Sequence, residues 1–154
     1  DVVAHLVGWF PPLLRDGSGI ELPAGPSVSD DPAGAWEQHR SALQAVLDDP
    51  ATAGRVFAHV HMPEMSVPDA VDRFYTTDVL MHTWDLARAS GLDDGLDPDE
   101  CEAVLAGMLP MDEVLRSSGH YGPKQPVDED ASPVLRLMAF VGRDPQWAPE
   151  TSRR

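Results

Sequence analysis

The chain has 154 residues, 42% of them hydrophobic, one cysteine and a formal net charge of −15. That length suits one domain with a sizeable core, and the charge argues against nucleic acid and anionic membrane as partners, because phosphate would be repelled. The lone Cys101 excludes an internal disulfide and fits a reducing, cytoplasmic compartment, while no apolar run is long enough to span a bilayer and the start, Asp1 to His5, has no basic region of the signal-peptide kind.

In chain order, Val2, His5, Leu6 and Trp9 recur at i, i+3, i+4 and i+7, which predicts a helix. Pro11-Pro12 should interrupt it or end it soon after. No cap precedes this helix, so an N-terminal segment is expected to be missing from the sequence as given. Residues 16–31, rich in Gly, Pro, Ser and Asp, read as a loop. Asp31-Pro32 then supplies an N-cap and a first-turn proline for a helix to about Asp48, with Trp36, Leu43, Val46 and Leu47 on its apolar side. Asp49-Pro50 ends it.

Over 51–65, Val56, Ala58 and Val60 alternate with Phe57, His59 and His61, as in a short extended piece. Ser66 and Asp69 form a capping box for a helix to about Ser90, with Gly91 as the residue after its end. Asp97-Pro98 opens another helix, with Cys101, Val104, Leu105, Met108 and Leu115 on one face and a kink or break at Pro110. Residues 117–130 read as loop. Ser132-Pro133 starts a short last helix through Val141, closed by Gly142. Without convincing strand alternation or an internal repeat, the class is all-α: four or five helices packed as a bundle, in a single domain over 1–154.

The helix from Ser66 to Ser90 carries the chemistry. On a helical wheel, Val67, Val71, Phe74, Tyr75, Leu86 and Ala89 share one face. Asp78 and His82, one turn apart, fall in the middle of that face, and Asp85 lies on the same arc. Asp72, Arg73, Thr76, Thr77, Thr83 and Trp84 fall opposite. A carboxylate and an imidazole on a core-facing stripe must be paired or must hold a cation, because a lone buried charge is costly. His5, on its own apolar stripe, adds a third ligand-type group. Together His5, Asp78 and His82 have the number and type for a divalent metal with one open position. Two readings stand side by side here, a metal centre and a hydrogen-bonded Asp–His pair within a core.

Other residues are weaker candidates. His59 and His61 point the same way only in an extended segment and otherwise read as loop surface, while His39 and His120 read as surface residues. Cys101 reads as packing, and Glu64 has no evident partner. There is no Gly-rich phosphate loop, nucleophile elbow or paired-cysteine zinc motif.

The stretches VVAHLVG (2–8), DVLMHTWDLARASG (78–91) and GPKQPVDEDASPVLRLMAFVGRDPQW (122–147) together resemble the mycothiol-dependent maleylpyruvate isomerase-like metal-binding proteins, within the wider DinB/YfiT-like group. The H-x-W-D-L-A-x-A-x-G and A-F-x-G-R-D-P portions are the specific parts. The resemblance implies a DinB-like four-helix bundle with a short C-terminal helix, holding a divalent ion through His5, Asp78 and His82. The ion is usually Zn2+, while imidazole and carboxylate also suit Ni, Fe or Mn. The family often has Glu where this chain has Asp78, one methylene shorter, and usually has a long helix before the segment matching Val2 to Gly8.

The activity implied is that of a cytoplasmic transferase or isomerase using a low-molecular-weight thiol, mycothiol, as cosubstrate with a small organic substrate. A metal-dependent hydrolase and a non-enzymatic metal-binding or stress-response protein are the alternatives on the same fold. Beyond the ligands, Asp85 is a candidate acceptor behind a ligand histidine, or a helix-surface residue. Arg143 is a candidate for facing an anionic substrate, or a structural partner of Asp144. A homodimer is the candidate assembly.

Overall fold

Each helix start marked by Asp or Ser just before a proline, or before Val67-Pro68, is capped in the computed structural model, which describes residues 2–52, 54–60 and 62–149. The first helix, α1, spans Val2–Ser18; Asp31 Oδ1 accepts from the Gly34 N–H at 2.9 Å and caps the next, α2, Pro32–Asp48. Ser66 Oγ accepts from the Asp69 N–H and donates to Asp69 Oδ2, opening α3, Val67–Ala70. A π-helical segment, Val71–Thr76, leads directly into α4, Thr77–Ser90. Asp97 caps α5, Pro98–Met108, which passes through a 3-10 turn at Leu109–Met111 into α6, Asp112–Ser117. Ser132 caps α7, Pro133–Phe140. Gly91 and Gly142, at φ +69° and +96°, follow α4 and α7 in the left-handed region that favours glycine.

The chain is mostly helical, with one addition to the expected all-α class. Val56–His59 and Met62–Ser66 pair as an antiparallel hairpin, β1 and β2, in the register Val56 to Ser66 and Phe57 to Met65. His61 lies outside the described residues.

The chain divides into two compact units, Asp1–Val79 and Leu80–Arg154, and the division falls inside the continuous helix α4. The first unit packs α1, α2, the hairpin and α3 around Phe10, Leu14, Leu43, Phe57, Val67, Val71 and Tyr75. The second packs α5 on α7, with the rest of α4 contributing to a core of Leu80, Met81, Trp84, Cys101, Leu105, Leu137 and Met138.

Three local expectations are corrected. First, α1 runs through Pro11 and Pro12 to Ser18, so the loop starts later than residue 16. The prolines deprive the Val7 and Gly8 carbonyls of their helical donors. Gly8 is exposed, where water can serve its carbonyl, and the fully buried Phe10 and Leu14 anchor the helix on both sides of the prolines. The buried stripe of α1 is therefore Leu6, Phe10 and Leu14, and His5 is exposed at its rim.

Second, the wheel for residues 66–90 loses phase at the π segment. A π turn closes i to i+5 bonds and so holds more residues than an α turn. Buried Tyr75 is followed by Leu80, five residues on, and then by Met81, Trp84 and Ala87. Trp84 is thus 3% exposed, although a uniform wheel puts it on the far side, and Leu86 is 48% exposed. Asp78 and His82 sit beside the buried stripe, half-buried, and not in its middle.

Third, His39 is a core residue, 5% exposed, while His120 is on the surface as expected. It lies against Trp36 and Tyr75, with ring centroids 6.4 and 5.3 Å away. Cys101 is fully buried packing, and burial pushes its thiol up from its ordinary range, away from a reactive thiolate.

Candidate metal centre

The first turn of α4 meets the first turns of α1. His5 Nε2 lies 3.1 Å from Asp78 Oδ2. One turn further along α1, the Trp9 indole N–H donates to the same oxygen at 2.9 Å. The His5 and Trp9 rings stack with centroids 6.1 Å apart. Asp78 Oδ2 is thereby fixed in position by two neighbours from one helix face, spaced i and i+4. The Asp78 charge also bears on Tyr75, whose phenol is held well above its usual range, first by burial and then by that carboxylate.

His82 follows Asp78 by one turn of the same helix. Its Nδ1 is 2.8 Å from Asp85 Oδ2. A carboxylate accepts, so Nδ1 donates to it and Nε2 is the ring nitrogen left for another partner. Asp85 is gripped in turn by Arg143, whose Nε and Nη2 donate to Oδ1 and Oδ2, each at 2.7 Å. Burial pushes the Asp85 carboxyl up, but the hydrogen bonds and charges of His82 and Arg143 outweigh it and hold the pKa at about 2. Asp85 is therefore an anionic acceptor at neutral pH, with a guanidinium behind it.

The three expected ligands converge. One ligating atom from each of His5, Asp78 and His82 lies within 4.8 Å of the others. Two imidazoles and a carboxylate form a donor set suited to zinc and other first-row divalent ions. Donor atoms at bonding distances of about 2.0–2.2 Å around a tetrahedral ion stand a little over 3 Å apart, and the His5–Asp78 spacing of 3.1 Å already matches this. The set fits a metal after a small inward movement of its widest pair. The His5 side chain is 48% exposed, so the cluster is reachable from solvent.

Asp85 touches His82, as expected for an acceptor behind a ligand. Arg143 is paired with Asp85 and not with Asp144. Glu64 is exposed, and His59 belongs to β1 and is not one of the three converging groups. The residue that sequence reasoning passed over is Trp9. Its signal was present as H-x-x-x-W, an indole one helical turn from His5.

These features define a mostly helical protein with a surface-accessible His–Asp–His cluster of metal-ligand type. The chain belongs to the same family as two proteins of Mycobacterium tuberculosis, Uncharacterized protein Rv0738 of strain ATCC 25618 / H37Rv and Uncharacterized protein MT0763 of strain CDC 1551 / Oshkosh. It is 32% identical to each over 147 residues, covering 93% of this chain and 78% of the relative. No family model matches the chain. No solved structure matches it either. Among the described residues, no helix is long and apolar enough to cross a membrane.

Proposed function

We propose that this protein binds one divalent metal ion, zinc in the first instance, through His5, Asp78 and His82 on a DinB-like four-helix scaffold. We further propose that it uses a low-molecular-weight thiol of the mycothiol type as cosubstrate, in transfer to or isomerisation of a small organic substrate in the cytoplasm. The convergence of the three donor atoms to within 4.8 Å carries the metal reading. The thiol reading rests on the resemblance of the 78–91 and 122–147 stretches.

When bound, the ion would supply a Lewis acid that lowers the pKa of a thiol at its open position. The chain's own residues do the positioning. Asp85 accepts the His82 Nδ1 proton and orients that ring. Trp9 holds Asp78 Oδ2 from the α1 side. His5, half exposed, leaves an approach for a small molecule.

Metal analysis of the purified chain is the test. About one equivalent of metal is expected, lost in His82→Ala. Less than roughly a tenth of an equivalent, with no uptake of added zinc, would sink the reading. Turnover that needs an added thiol separates transfer or isomerisation from hydrolysis, and metal binding without turnover in either assay would indicate the non-enzymatic alternative.

A further inference from the structure

A cleft lies within Leu80–Arg154, beside the Asp85–Arg143 pair and lined also by residues to which the metal reading gives no task. Its volume is about 260 Å³, and its walls are Trp84, Asp85, Arg88, Arg143, Asp144 and Trp147. That is just under the roughly 300–1,000 Å³ typical of drug-sized sites, so its occupant must be small.

The charges in this cleft are already sorted, with one exception. Asp85 is engaged by Arg143 and His82. Asp144 Oδ1 accepts the Gln146 N–H at 2.9 Å, and its carbonyl accepts the Trp147 N–H at 3.1 Å. This turn sets Trp147, 46% exposed, against the cleft. Arg88 is the exception. Its guanidinium lies over the Trp84 indole, 5.1 Å from the ring centroid. Among the described residues no carboxylate pairs with it, although 26 acidic residues face 11 basic ones. Arg15, Arg40, Arg116, Arg136 and Arg143 each hold a carboxylate.

A half-buried guanidinium stacked on an indole is a preorganised receptor for a planar anion. Its fork matches a carboxylate bidentately, and the indole beneath it helps to hold it in place. Trp147, 46% exposed, supplies apolar wall for an aromatic body, while the buried Trp84 backs Arg88. Only one cation in the cleft lacks an anionic partner, and a dianion would bring its second charge towards Asp85 and Asp144. We propose that this cleft binds a small planar monocarboxylate, its anion on Arg88 and its ring against Trp147. The cleft needs no metal, so the inference stands or falls apart from the reading of the His–Asp–His cluster.

Calorimetric titration of the chelator-treated full chain with 2-naphthoate tests it. One saturable site is expected, with 2-naphthylmethylamine and 2-naphthylmethanol binding at least about tenfold more weakly. Arg88→Met should weaken 2-naphthoate by about tenfold or more. Arg88→Lys keeps the charge and loses the fork, so it should weaken binding severalfold with the helical circular dichroism unchanged. Trp147→Ala, at an exposed position, should weaken it at least about threefold. No saturable binding up to about 5 mM, a preference for the amine, or full affinity in both Arg88→Lys and Trp147→Ala would each overturn the proposal.

Discussion

Arg143 grips Asp85 with two parallel hydrogen bonds of 2.7 Å across 58 positions of sequence. The same carboxylate receives the His82 Nδ1–H, so a residue of the C-terminal G-R-D-P run determines which nitrogen of His82 points outward. Both halves of the pair come from the two stretches that carry the family resemblance, W-D-L-A and G-R-D-P. The contact gives a physical reason for both to be present in one chain.

Arg143→Met should therefore destabilise the fold. It leaves Asp85 with one imidazole partner at a site about three-quarters shielded from solvent. A loss of about 1–3 kcal/mol is expected, seen as a fall of several degrees in Tm. Because the folded pKa of Asp85 is lowered to about 2, the stability it contributes is present at and above the ordinary carboxylate pKa. It is lost as pH falls from about 4 through about 2. In Arg143→Met the folded pKa rises, so this pH-dependent loss should shrink and be complete at higher pH, and an unchanged acid-unfolding curve would remove Arg143 from the account.

Asp85→Asn separates orientation of the ligand from stability. The amide keeps the size but loses the anionic acceptor for both Arg143 and His82. Zinc affinity, measured with a competing chelator, should fall about 10–100-fold. Wild-type affinity in a folded variant would show that the Asp85 contact does not orient the metal-facing ring.

Trp9→Phe removes one N–H from Asp78 Oδ2 and keeps most of the apolar packing around Phe10 and Tyr75. The expected cost is about 1 kcal/mol of stability. Faster zinc loss to a chelator should accompany it, because Asp78 then has fewer constraints. A change in stability alone would make Trp9 a packing residue.

His39 supplies a pH effect remote from the cluster. Burial lowers its pKa, and no hydrogen-bond partner is found for its Nε2. The folded state therefore holds it neutral while the unfolded chain protonates it below about pH 6.5. Its stability contribution is complete above that pH and is lost as pH falls through the lowered folded pKa, by at most about 1.4 kcal/mol per pH unit. His39→Phe should flatten the stability profile below about pH 6.5 relative to wild type. Parallel profiles would mean that His39 is accessible to protons in the folded chain.

Helix starts were the most legible part of the sequence. Asp31, Ser66, Asp97 and Ser132 each cap the helix they announce, because capping is decided within a few residues. The closeness of Asp78 and His82 was legible for a related reason: they share a helix, and one turn of helix brings them together whatever surrounds them. What was hidden depends on distant packing. Pro11 and Pro12 read locally as a stop, yet buried Phe10 and Leu14 carry the helix past them. Trp84 read as far-side and His39 as surface because a uniform wheel knows nothing of a π turn or of Tyr75 lying across from α2.

The π segment Val71–Thr76 has a consequence for chain length. Its wide turn sets the angular position of everything after it, so a one-residue deletion there would swing Asp78 and His82 about 100° around the helix axis, away from His5. Substitutions at its exposed positions, Asp72 and Arg73, leave the phase intact. In relatives of this chain, conservation of spacing between Val67 and Asp78 should therefore be stricter than conservation of residue identity. A gap placed between those two positions would mark a protein in which the three donors no longer face one another.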